Sequence, residues 1–201
     1  MNNFIQYKQM VVDIETLSPD KTKDGGVVIT EIAARPFNIN DCKVELGDLF
    51  STILDVPSQT NAGLRVDPDT LKWHVKNGRN IEDLLYQKGE DLAAGIDAFL
   101  AWARKNLHKD VKVYAWGSDF DLPIIHKSYV AYTKETNTSD SFYPWRFGNY
   151  RCARTLFNEL TEETGLPSKK PHVAAKDVDI EIFDMVQAWN FRRDRKLILN
   201  F

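Results

Sequence analysis

Cysteine is scarce in this chain. Only Cys42 and Cys152 occur, and their separation fits neither a redox motif nor a zinc-ligand spacing. A disulfide-stapled fold is therefore not expected, and a reduced, cytoplasmic location is the simpler reading. No stretch of eighteen apolar residues is present, so no membrane-crossing helix is expected. The opening residues MNNFIQYKQM lack the basic start and apolar run of a secretory leader. Internal repeats, low-complexity tracts and Gly/Ser linkers are also missing, which predicts a single domain over residues 1–201. Positive charge is not in excess. The net charge of −3 argues against a protein that holds nucleic acid by its overall field, although it leaves room for an enzyme whose acids bind cations.

The residues that are present suit a soluble α/β protein. Apolar residues make up 43% and charged residues 27%, enough to bury a core and solvate a surface. Gln9 to Glu15 reads as a strand. After a turn at Gly25-Gly26, VVITEIAARPF reads as a second strand and Val44 to Leu54 as a third, giving an antiparallel meander. DPDTLKWHV starts as a helix should. Leu92, Ile96, Phe99, Leu100, Ala103 and Leu107 keep helical spacing over Asp91 to Leu107. A short β-rich run, Val111 to Trp116, is broken by Gly117-Ser118. A helix then restarts at DFDLPIIHKSYVAY, with Ser118 or Asp119 as its cap. Thr136 to Tyr150 reads as a loop, Arg151 to Leu160 as a helix and Gly165 to Pro171 as a loop. Ala174, Val178, Ile182, Met185 and Trp189 mark a last helix. Three strands followed by alternating helices and a strand predict a mixed sheet covered by helices.

Three segments carry acids in suggestive places. Asp13 and Glu15 are two apart in a strand and so share one face, about 7 Å apart, while Val12 and Ile14 point into apolar packing. Asp121 follows the strand VKVYAW at a helix start, where a carboxylate also suits the helix dipole, and Asp119 competes with it for the capping role. His172 lies at the mouth of the last helix and Asp177 about a turn and a half inside, flanked by Ala174 and Val178. The same segment also reads as a surface helix with scattered acids, since Asp179, Glu181 and Asp184 follow. Taken together, four carboxylates and one imidazole suit two hard divalent cations, Mg²⁺ or Mn²⁺, with His172 as a general base. Zinc is disfavoured because no Cys/His set offers a tetrahedral site.

With these residues in view, Asp13-Ile-Glu15-Thr16, Gly117-Ser-Asp-Phe-Asp121 and His172 followed by Asp177 resemble the three exonuclease motifs of the DEDDh branch of the DnaQ-like superfamily. Thr70-Leu71-Lys72-Trp73, Phe120-Asp121-Leu122-Pro123 and Arg154-Thr155-Leu156 are similar to motifs of a narrower group that includes phage exonuclease A and a mycobacterial exoribonuclease family. Two positions depart from the pattern: His74 stands where that group often has Trp, and Ser118 where proofreading enzymes usually have Asn. The resemblance implies a ribonuclease H-like fold, with three antiparallel strands and then parallel ones flanked by helices. It implies two divalent ions on Asp13, Glu15, Asp121 and Asp177, and water activated by His172. The implied activity removes nucleoside 5′-monophosphates from the free 3′ end of a nucleic acid, single strands favoured, with the phage likeness leaning toward DNA. By the same resemblance Thr16 and Leu17 hold the terminal nucleotide.

Other residues are weighed against plainer roles. Trp73 either stacks on a base or packs in the core. Phe120 borders the pocket or anchors its helix, with anchoring favoured. Lys169-Lys170 reads as a solvated loop, His74, His108 and His126 as surface or packing residues, and the aromatic loop YPWRFGNY as a candidate groove wall. The basic, then apolar tail Phe191 to Phe201 reads as packing back on its own domain, with contact to nucleic acid or to a second subunit in a homodimer as alternatives. A ribonuclease H-type endonuclease would share the carboxylates but gives no reason for His172. A non-catalytic binding module would be expected to lack a ligand and to carry a basic face.

Overall fold

The computed structural model describes residues 6–19, 26–40, 43–137, 143–161, 167–192 and 198–200. Gly25, Cys42, the start of the expected loop at Gly165 and the basic stretch 193–197 lie outside them. The centre of the molecule is strand β1, Tyr7–Thr16, in a sheet of order β6-β5-β1-β2-β3-β7, with β4 also paired to β2. On one side β1 pairs antiparallel with β2, Ile29–Asn40; on the other it pairs parallel with β5, Leu107–Ala115. The expected ribonuclease H-like mixed sheet is observed, with antiparallel strands first in the chain and parallel ones after.

The period of two along β1 sorts its side chains between two cores. Met10, Val12 and Ile14 enter a large core with Ile96, Phe99 and Leu100 of helix α4, Leu92–Asn106, and Leu122 and Ile125 of helix α5, Asp121–Thr136. Val11 enters a smaller core on the opposite face with Val178, Ile182 and Met185 of helix α7, Ala174–Arg192. Asp13 and Glu15 continue the Val11 row, so the strand's last acids share a face with α7. That alternation builds the site.

Several local expectations are corrected. The expected third strand, Val44 to Leu54, is two strands, β3 Lys43–Leu46 and β4 Phe50–Ile53, each antiparallel to β2. The break falls at Gly47, whose N–H donates to the Pro36 carbonyl at 2.8 Å. A Cβ there would meet Pro36 Cγ and Tyr7 Cε2 at 2.7 Å, so the backbone passes too close for any side chain. Helix α5 has no side-chain cap: Phe120 is its N-cap residue, and the Gly117 carbonyl accepts from the Phe120 and Asp121 amides instead. Neither Ser118 nor Asp119 caps it, because the chain makes a tight turn that brings a carbonyl to the helix start. The expected helix from Arg151 begins as strand β6, Tyr150–Cys152, parallel to β5, and turns helical only at α6, Ala153–Thr161.

Three short helices complete the chain order. In α1, Val56–Asn61, and α3, Ile81–Leu85, which sequence periodicity did not suggest, Asp55 and Asn80 accept from backbone amides as caps. Helix α2, Pro68–Lys76, is capped by Asp67 as expected. The tail does return to its own domain: β7, Ile198–Asn200, pairs parallel with β3. Among the described residues no helix is long and apolar enough to cross a membrane.

Candidate active site

At the carboxyl end of β1 a cleft of about 660 Å³ is lined by Asp13, Glu15, Asp121 and Asp177, with His172 and Trp73 also on its wall. The four acids come from three elements. Asp13 and Glu15 project from β1, where they pair in register with Ala33 and Glu31 of β2. Asp121 opens α5, and its carboxylate draws on its own amide and that of Ile14. Asp177 lies in the first turn of α7 and is drawn to the amides of Val173 and His172. Glu31 steadies that helix start by accepting from the Ala174 amide at 3.1 Å. One ligand atom each from Glu15, His172 and Asp177 lie within 4.8 Å of one another.

All four carboxylates are buried, Asp177 to 1% exposure. Burial is the leading cause of every shift here, because a low-dielectric surrounding disfavours the charged form. It drives Asp13 well above the ordinary carboxylate range, helped by the charges of Glu181 and Asp121. Glu15 and Asp121 are each pushed up to about 7. Asp177 is raised, with Lys170 and His172 opposing. Crowded acids this far from their usual range mark the cleft as a candidate functional site. The side-chain chemistry agrees: Asp177 Oδ1 is buried without a hydrogen-bond partner, and a set of carboxylate oxygens with one imidazole fits a hard divalent ion.

His172 sits on the exposed rim with φ of 56°, a left-handed conformation uncommon for a residue with a side chain. Two contacts hold it there: Arg79 donates to its backbone carbonyl, and its ring meets Trp73 edge-on at 5.7 Å. The Arg79 charge also acts on Glu15, lowering it against the effect of burial. Trp73 itself is 47% exposed, so it does not serve the core. Its neighbour His74 is buried, with Nε2 3.2 Å from the Thr16 carbonyl, and burial lowers its pKa and keeps the ring neutral. A histidine at this position thus ties α2 to the end of β1.

Of the expected nucleotide contacts, Thr16 and Phe120 line the cleft. Phe120 also packs on the large core, so both of its weighed roles are met by position. Leu17 does not line the cleft. Its side chain is completely buried, and its amide and carbonyl are used by Val28 and Asp67. The aromatic loop is corrected as well: Trp145 packs edge-on against Phe99 and Tyr143 packs tilted against Tyr129, on the α4–α5 side of the sheet, and among the described residues it is Arg154 from this region that lies on the cleft wall.

Sequence reasoning missed two groups. Lys170 is not a solvated loop residue: its ammonium pairs with Glu181 and lies 4.8 Å from the Trp116 ring centroid. Glu181 is fully buried and pushed up to about 7, chiefly by burial. A signal for it existed, because Glu181 is four residues after Asp177 and so shares its helix face, between Val178 and Ile182. The other acids of α7 are engaged elsewhere. Asp179 pairs with Arg35 at 2.7 Å, and Asp184 accepts from the Ser168 amide and hydroxyl.

Comparison with known proteins agrees with this geometry. A family model described as the 3′-5′ exoribonuclease Rv2179c-like domain matches residues 8–180, which include every residue that lines the cleft. No curated protein matches the chain in sequence. Among solved structures, a full-length 3′-exonuclease superposes with a TM-score of 0.53 at 12% identity, covering 96% of this chain and 85% of that one, a likeness of fold. Since the family match runs over most of the length and over all three acidic segments, the chain belongs to the DnaQ-like 3′-5′ exonucleases, in the Rv2179c-like domain family.

Proposed function

We propose that this protein is a metal-dependent 3′→5′ exonuclease that shortens single-stranded RNA from its 3′ end and releases nucleoside 5′-monophosphates. The observation that carries the reading is the convergence of Asp13, Glu15, Asp121 and Asp177 on one cleft with His172 at its rim. The preference for RNA over DNA follows the exoribonuclease description of the family.

In this reading Asp13, Glu15, Asp121 and Asp177 hold two Mg²⁺ or Mn²⁺ ions, which when bound supply positive charge for a phosphodiester displacement. His172 is the general base. It is exposed enough to meet water, and its contacts are the Arg79 hydrogen bond to its backbone carbonyl and the T-shaped packing of its ring with Trp73. Trp73, exposed beside His172, stacks on a base near the 3′ end, a contact worth about 1–3 kcal/mol. Thr16 and Phe120 border the terminal nucleotide. Arg154, also on the wall, faces the backbone phosphates.

The test is digestion of matched single-stranded RNA and DNA, labelled at the 5′ end, with Mn²⁺ present. A ladder shortening one nucleotide at a time from the 3′ end is expected, with no cleavage of a closed circle and no product from Asp121→Asn. Internal cuts in the circle, or full activity in the variant, would refute the reading.

A further inference from the structure

One charge pair at the edge of the cleft, Lys170 on its wall and Glu181 buried behind it, is not used by the proposed chemistry. Lys170 lies in the loop before His172 and donates from its ammonium to Glu181 Oε1, with only 17% of the lysine side chain exposed. Glu181 is wholly buried on α7, its second oxygen, Oε2, accepts no hydrogen bond from a donor, and its carboxyl group meets that of Asp13. Both groups act on the cluster. Among the charges around Asp13, Glu181 has the largest effect, while Lys170 acts in the opposite sense on Asp13, Asp121 and Asp177. Trp116 covers the ammonium, so this lysine is held in the cleft and does not merely lean over it.

Burying such a pair costs desolvation of two ions, and replacing it with neutral groups of like volume is often harmless to stability. Its retention beside the cluster therefore calls for an electrostatic reason. Four ligand carboxylates carry four negative charges, which two divalent cations match. Glu181 alone would leave the site one charge too negative, and Lys170 alone one charge too positive. Together they return it to balance. We propose that Lys170 and Glu181 are positioning residues that set the affinity of the carboxylate cluster for divalent cations, the lysine lowering it and the glutamate restoring it. The inference rests on the reading that this cluster holds such cations.

The experiment is calorimetric titration of Mn²⁺ alone into the full chain at pH 8, without substrate, for wild type, Lys170→Met, Glu181→Gln and the double variant. Lys170→Met should tighten Mn²⁺ binding by about tenfold or more, since it removes a positive charge beside the ions. Glu181→Gln should weaken it by a similar factor, because the lysine is then uncompensated. The double variant should return close to wild type, and it keeps the test informative if a single variant folds poorly. A purely structural pair would move both single variants the same way, or neither, and either result would overturn the inference. If wild type binds no Mn²⁺, the inference falls together with the reading beneath it. If wild type binds and the variants do not diverge, the inference alone falls.

Discussion

Replacing Glu15 with glutamine should make the cation-free protein more stable, although it removes a proposed ligand. Glu15 is buried on β1 and pushed up from 4.5 to about 7, with burial as the first cause and Glu31, Asp177 and Asp121 adding to it against Arg79. An acid whose folded-state pKa is raised binds its proton more tightly in the folded state than in the unfolded one. Below about pH 4.5 both states hold the proton and the group costs nothing. As pH rises, the unfolded chain ionises first, and stability falls until the folded group also ionises near pH 7. About 2.5 pKa units correspond to about 3 kcal/mol, fully lost above pH 7. Glutamine keeps the shape and never ionises, so at pH 8 in EDTA Glu15→Gln should recover up to about 3 kcal/mol. For a chain of this size that is a rise in melting temperature of roughly 6–12 °C. Thermal denaturation in EDTA at pH 4.5 and pH 8 would test it, with the gain present only at the higher pH. Saturating Mn²⁺ should reverse the order, since only the wild type keeps the full ligand set. A variant no more stable than wild type at pH 8, or equally stabilised at both pH values, would refute the argument.

Three further outcomes are expected. Trp73→Ala should raise KM for a single-stranded substrate by roughly 5–150-fold, from a stacking contact of about 1–3 kcal/mol, with little change in melting temperature because the ring is already 47% exposed; steady-state kinetics beside a thermal melt separates the two. His172→Gln should lower kcat by roughly 10²–10⁴-fold, the usual contribution of a general base, while KM holds in steady-state kinetics. Gly95→Ala should destabilise the fold by about 1–3 kcal/mol in urea denaturation, because its Cβ would lie 2.1 Å from Leu54 Cδ2, while leaving turnover at low temperature intact.

What was legible in the sequence was periodic. The alternation in β1 could be read directly, so Asp13 and Glu15 were placed on one face before any coordinates, and the α4 stripe from Leu92 to Ala103 was equally plain. Contacts that depend on a long return of the chain were not legible. Gly47 breaks the third strand only because Pro36 and Tyr7 lie under it, and Leu17 turns inward only because Val28 and Asp67 take its backbone groups. Short helices such as α1 and α3 hold too few residues to show a period; their local signs were the caps Asp55 and Asn80 and, in α1, Pro57 in the first turn.

Lys170 and Glu181 mark the deeper limit. A lysine beside another lysine in a polar loop is solvated in most proteins, and an acid among other acids on a helix is usually at the surface. Both expectations fail here for the same reason. Helix α7 packs its Val178–Ile182 face on β1 and β2, which carries Glu181 under the sheet's acidic end. Once a carboxylate is committed to that face, leaving it unpaired would be more costly than drawing in a long cationic side chain. The loop before His172 is where such a side chain can originate, because Ser168 ties it to Asp184 one turn further along α7. The place of Lys170 is thus fixed by the packing of α7 on the sheet face that carries Asp13 and Glu15. That relation belongs to three dimensions, and any substitution that shifts α7 along β1 should disturb the carboxylate cluster and the His172 rim together.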